Sequence, residues 1–118
     1  MTATVVAISI DTADAAQLAD FWSDLLGVGV GEGATPQSAS IPASGSSPQL
    51  LFHQVPEGKS VKNRLHLDLL SNDFEPDLKR ILDLGAMRLN ELRRAGAHWV
   101  TLADPEGNEF DLISGSDD

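Results

Sequence analysis

The chain contains no cysteine. That excludes disulfides, thiolate zinc sites and thiol nucleophiles. It is also poor in basic residues: 8 Lys and Arg stand against 18 Asp and Glu, a formal net charge of −10. Nucleic acids and anionic membrane surfaces are recognised through clustered Lys and Arg, so neither is an expected partner. No uninterrupted apolar run approaches the length of a membrane span. The first residues, MTATVVAIS, show no basic leader ahead of a long apolar stretch, so no secretory signal is read and a cytoplasmic location is expected. No serine occupies a Gly-x-Ser-x-Gly elbow, and no phosphate-cradling Gly-rich motif precedes a helix.

What remains is an ordinary soluble composition: 118 residues, 42% hydrophobic and 22% charged, enough for the core of one compact domain. The organising stretch is Val55 to Leu69, VPEGKSVKNRLHLDL. Its first half is a polar connector, and the stretch as a whole carries Lys59, Lys62 and Arg64, three of the 8 basic residues. Its second half alternates. Leu65, Leu67 and Leu69 point one way, and His66 and Asp68 the other, as in a strand with one buried face.

Around this joint the text punctuates itself. Thr4 to Ile10 is β-branched and apolar, a strand with Val6, Ile8 and Ile10 on one face and Ala7 and Ser9 on the other. Asp14 reads as an N-cap with Gln17 completing a capping box, and Leu18, Phe21, Trp22, Leu25 and Leu26 form a helical stripe of core residues. Gly27 suits the left-handed position after that helix. A short strand is expected at Val28 to Val30, then a loop or weak hairpin from Gly31 to Pro48 with a short strand near Ser38 to Ile41. Gln49 to Val55 is a strand ended by Pro56.

After the connector comes a strand from Arg64 to Leu70. A second helix follows, with Asp73 as N-cap, Pro76 in the first turn, Leu78, Ile81 and Leu82 buried, and Gly85 as its stop. Ala86 to Leu89 reads as a short strand and Asn90 to Ala97 as a polar turn or hairpin. His98 to Ala103 is a strand, Asp104 to Asn108 a tight turn, and Glu109 to Ile113 the last strand.

The halves repeat. Asp14 lies seven positions after Ala7, and Asp73 seven after His66 (14 − 7 and 73 − 66). Subtracting an offset of 58, taken from the helix-stop glycines (85 − 27), from Asp111 gives His53. Ala7, His53, His66 and Asp111 are therefore read as equivalent positions. Two βαβββ modules, residues 1–56 and 64–114 joined by 57–63, are expected to form a single α+β domain. Its curved mixed sheet would wrap a cavity, with the helices outside. Ala7, Ser9, His53, His66, Asp68 and Asp111 are the candidate cavity-lining residues.

DAAQLADFWSDLLG (14–27), FHQVPEGKSVKNRLHLDL (52–69) and WVTLADPEGNEF (99–110) carry a resemblance. The chain resembles the vicinal oxygen chelate superfamily of glyoxalase I, extradiol dioxygenases and bleomycin- and fosfomycin-resistance proteins. Within it, the chain looks like the small glyoxalase-like domains of actinobacteria. The resemblance implies one divalent metal (Ni, Zn, Mn, Fe or Co) that chelates neighbouring oxygens of a small-molecule substrate as Lewis acid.

By the same resemblance His66 takes a ligand position, Asp111 stands where a glutamate often ligates, and His53 falls near a third ligand. Asp68 would support these from the same side. Ala7 replaces the remaining ligand, so a metal-free site is equally consistent with the motif. The readings that follow are a lyase, isomerase or oxygenase; a non-catalytic binder of a drug or antibiotic; or an interaction domain with a vestigial cavity. A homodimer is implied as well. For each residue the plain alternative is a polar side chain on a sheet face.

Overall fold

The computed structural model describes residues 2–115. The chain divides into two compact units, Met1–Gly58 and Lys59–Asp118. The division falls inside the connector that the sequence places at residues 57–63.

In the first unit the order is β1 (Ala7–Thr12), α1 (Ala15–Leu26), β2 (Ser38–Ile41) and β3 (Gln49–Gln54). β3 lies in the middle, parallel to β1 and antiparallel to β2. Registers Ile8↔Leu50, Ile10↔Phe52, Ala39↔Phe52 and Ile41↔Leu50 gather the apolar alternates on one face. α1 packs mainly on β2 and β3, burying Leu18, Trp22 and Leu25 together with Leu50 and Phe52. Each large side chain withdrawn from water in this way contributes about 1.5–3 kcal/mol.

α1 is bounded as its sequence predicts. Asp14 accepts from the Gln17 backbone N–H at 3.1 Å, and Gly27 closes the helix at φ 72°, a left-handed conformation in which a Cβ is costly. The strand expected from Thr4 begins only at Ala7, and Val5 and Val6 are exposed. Val28–Val30 forms no strand, although Val28 and Val30 are β-branched. Instead the Ser23 side chain donates to the Val28 carbonyl at 2.6 Å, which holds this segment against the helix end rather than along a sheet edge.

The second unit runs β4 (Leu67–Ser71), α2 (Phe74–Asp83), β5 (Met87–Arg94), β6 (Ala97–Ala103) and β7 (Glu109–Ser114), with sheet order β4-β7-β6-β5. β4 and β7 are parallel and the other pairs antiparallel. Phe110, Leu112, Val100 and Leu102 are buried, as are Phe74, Leu78 and Ile81 of α2. Strands and helices thus form two small mixed sheets, each with its helix on one face. This is the α+β architecture that the sequence implies, hydrogen-bonded as one sheet per unit.

Three local expectations change. Leu65 lies outside β4 and is 88% exposed, so the leucine alternation is buried only in part. The segment 90–97 is a hairpin, one of the two forms expected there, but its turn is shorter than the whole segment. β5 continues to Arg94, and the reversal is confined to Ala95 and Gly96, at φ 46° and 84°. A two-residue hairpin needs such positive φ values. Finally, Asp73 makes no side-chain cap bond. The Ser71 hydroxyl takes over, accepting from the Asp73 N–H at 3.2 Å and donating to Asp77 Oδ2 at 2.7 Å. Among the described residues, no helix is long and apolar enough to cross a membrane.

Candidate functional site

β4 and β7 place a carboxylate beside a carboxylate. Their register pairs Asp68 with Asp111, and β6 pairs Thr101 with Asp111. Paired residues share a face, so Asp68, Asp111 and Thr101 form one polar row on the side opposite α2. The next row on that face is Leu70, Ile113 and Trp99. Alternation explains the division. Phe110 and Leu112 point to the helix and are buried, which leaves Asp111 and Ile113 on the other side.

His66 immediately precedes β4 and reaches this row. Its Nδ1 lies 2.9 Å from Asp68 Oδ1 and 3.9 Å from Asp111 Oδ2. Thr101 Oγ1 donates to Asp111 Oδ1 at 2.6 Å, which fixes that carboxylate and turns its other oxygen toward the histidine. The Asp111 side chain is 18% exposed, against 42% for His66 and 53% for Asp68. The cluster therefore has a covered side and an open side.

One ligand atom from each of His66, Asp68 and Asp111 lies within 4.8 Å of the others. Metal–ligand bonds near 2.0–2.2 Å put opposite ligands roughly 4.0–4.4 Å apart, so a small inward adjustment would let all three meet one divalent ion. An imidazole with two carboxylates is an oxygen-rich set suited to Mn, Fe, Co or Zn. The donor chemistry fits a metal, and the open side leaves room for oxygens of another molecule.

The remaining sequence candidates lie in the first unit. Ala7, Ser9 and His53 occupy the face of β1 and β3 opposite α1, with Ala7 paired to Gln49, Ser9 to Leu51, and His53 to Asp11 and Ser38. The repeat can now be counted from hydrogen bonds. Asp14 N–H bonds to Thr12 Oγ1 as Asp73 N–H bonds to Ser71 Oγ, an offset of 59 (71 − 12). The Thr12 carbonyl accepts from Val55 N–H as the Ser71 carbonyl accepts from Gly115 N–H, an offset of 60 (115 − 55). The last-strand offset is thus 60 and not 58. Leu51, paired with Ser9, is the counterpart of Asp111 paired with Asp68, and His53 is the counterpart of Ile113. Unequal loops hid this two-residue slip from the sequence count.

The turn after β6 braces the site. Asp104 is buried, and its Oδ1 accepts from the backbone N–H groups of Glu106 and Asn108 at 2.9 Å each. Glu109 follows, 15% exposed, with Lys59 Nζ 3.5 Å away. Burial pushes the Glu109 carboxyl up, but its own backbone N–H, that of Asn63, and the charges of Lys59 and Lys62 outweigh it and hold the group below the usual carboxylate range.

The sequence reading missed one polar pair. His98 is buried against Phe74, ring centroids 4.4 Å apart, and its Nε2 lies 2.6 Å from Glu91 Oε2. The hydrogen bond from His98, and then Arg88 and Arg93, hold the Glu91 carboxyl low against a smaller opposing effect of burial. Alternation with Val100 and Leu102 was the available signal that His98 faces the helix.

Comparison with known proteins agrees with this architecture. Residues 7–113 match the profile of the family described as "Glyoxalase-like domain". A glyoxalase/bleomycin resistance protein/dioxygenase family enzyme from Burkholderia phytofirmans PsJN superposes with TM-score 0.75 at 15% identity, covering 92% of this chain and 96% of its own. Lactoylglutathione lyase from Agrobacterium tumefaciens gives 0.68 at 15% identity, with coverage of 97% and 95%. A fosfomycin resistance protein from Listeria monocytogenes, complexed with Mn(II) and a dihydroxypropylphosphonic acid, gives 0.76 at 14% identity, with coverage of 98% and 93%. No protein of curated function matches the sequence.

Proposed function

The chain belongs to the glyoxalase-like domain family, and from that premise we propose that it is a divalent-metal-dependent enzyme acting on a small molecule with two neighbouring oxygens. The convergence of His66, Asp68 and Asp111 carries this reading. A bound cation would supply Lewis acidity toward those oxygens. His66 and the two carboxylates would hold it, and Thr101 would keep Asp111 oriented. The adjacent row of Leu70, Ile113 and Trp99 offers apolar surface to the rest of the molecule. The lyase and the Mn(II)-bound resistance protein of the same fold support chemistry of this kind.

The test is metal retention. Chelator-treated protein is exposed to an equimolar mixture of Mn, Fe, Co, Ni and Zn, desalted and submitted to elemental analysis. Wild type should keep close to one ion per chain, and His66→Ala and Asp68→Asn should keep none. Equal retention by all three proteins would sink the proposal.

A second reading, a binder without turnover, draws on a different observation. Ala7 supplies no ligand, and His66 and Asp68 already satisfy each other at 2.9 Å. Ligand-induced stabilisation that persists in chelator without product formation would favour it. In either reading the protein is a homodimer, an arrangement supported by the exposed Leu65, just before the edge strand β4, and Leu70, within it. A monomeric mass by light scattering at micromolar concentration would count against that.

A further inference from the structure

We infer that Glu109 is a positioning residue: it latches the segment 59–63 to the β6–β7 turn and thereby seats His66 beside Asp68 and Asp111. His66 lies outside β4, so no ladder hydrogen bond fixes it. What fixes the chain just ahead of it is a set of contacts to a single turn. The Asn63 backbone N–H donates to Glu109 Oε1 at 3.3 Å, and the Asn63 side-chain amide reaches Asn108 Oδ1 at 3.5 Å. Lys59 Nζ lies 3.5 Å from the same Glu109 oxygen and donates to the Val61 carbonyl at 2.6 Å, which curls the segment over its own anchor. The Lys59 stem passes above Gly107, whose missing Cβ would stand 3.7 Å from Lys59 Cδ.

The anchor itself is stiff. Asp104 accepts from two backbone N–H groups and from the Asn108 amide at 3.0 and 3.2 Å, so Asn108 presents its oxygen to Asn63 from a fixed position. Glu109 begins β7, two residues before Asp111 and on the same face. One short stretch of β7 therefore sets both a carboxylate of the cluster and the anchor of its histidine. The polar connector and the Asp-Pro-Glu-Gly-Asn-Glu turn, distant in sequence, form one device. Its role in metal binding rests on the reading above; its role in placing His66 does not.

The experiment separates the two. In metal-free protein with isotope-labelled histidine, NMR reads the His66 ring signals and their cross-relaxation to Thr101 and Asp111. Mn(II) titration then reads affinity. Glu109→Ala should keep the fold by circular dichroism, lose those His66 contacts, and bind Mn(II) about ten-fold more weakly, the scale of losing an outer partner of a ligand. Glu109→Gln keeps an acceptor for the Asn63 N–H and should restore most of the His66 contacts. Should Glu109→Ala fail to fold, Asn63→Pro deletes the donor in the connector, leaves β7 untouched and should give the same loss. A folded Glu109→Ala or Asn63→Pro protein with unchanged His66 contacts would overturn the latch. Intact latch behaviour in a wild-type protein that binds no Mn(II) would overturn only the metal reading.

Discussion

Thr101 holds Asp111 directly across the β6–β7 pair, Oγ1 to Oδ1 at 2.6 Å, and so aims the second carboxylate oxygen at His66. The contact also takes one of the carboxylate's two oxygens. Removing the hydroxyl with Thr101→Val leaves a side chain of nearly the same shape but frees the carboxylate to rotate. Divalent-metal affinity should fall about ten-fold. Isothermal titration of the two proteins under identical buffer checks this, and equal affinities would show that Thr101 does not orient Asp111.

The two helix starts make opposite predictions. Asp14 accepts from the third residue of α1, so Asp14→Ala should destabilise the protein by about 1 kcal/mol. Asp73 makes no such bond, and Asp73→Ala should stay within about 0.5 kcal/mol. Urea unfolding at neutral pH measures both. Equal losses would mean that Asp73 caps α2 after all.

Acid sensitivity should pass through Glu91. Its hydrogen bond from His98, with Arg88 and Arg93 nearby, lowers its carboxyl below the ordinary value of 4.5. A depressed native value means that the unfolded chain binds more protons in the window between the two. The stabilisation is therefore present above about pH 4.5 and is lost as pH falls through the native value. Glu91→Gln should be less stable than wild type near neutrality, and the gap should narrow on acidification below that window. Thermal unfolding at pH 7 and pH 3 reads this; a gap that widens in acid would contradict the assignment.

Most of the fold was legible because it rests on local signals. The capping box at Asp14 and Gln17, the stripe of Leu18, Trp22 and Leu25, and the alternation of Phe110 and Leu112 each specify an element and a buried face. Misreadings arose where a tertiary partner decides. Val28–Val30 has strand composition but is held by Ser23. The hairpin expected at Asn90 to Ala97 is present, but β5 runs on past Leu89 to Arg94, because Ala95 and Gly96 alone make the turn.

At the site, alternation set His66 and Asp68 apart from the leucines, and Asp111 apart from Phe110 and Leu112; the β4–β7 register is what brings the three together. The counterpart of Asp111 in the first unit was misplaced by two residues, since loop lengths hide register and only the Thr12–Val55 and Ser71–Gly115 hydrogen bonds reveal it. The partnership of Asn63 with Glu109 spans 46 positions and carries no sequence-local signal.

The central claim is that His66, Asp68 and Asp111 hold one divalent ion. Crystals grown without chelator and soaked in Mn(II) test it most directly, by anomalous diffraction at the manganese edge. The account predicts a single strong peak per chain, about 2.0–2.3 Å from a nitrogen of His66 and from carboxylate oxygens of Asp68 and Asp111, and no peak there in Asp68→Asn. A featureless map at this cluster, or a peak bound only by other residues, would contradict it.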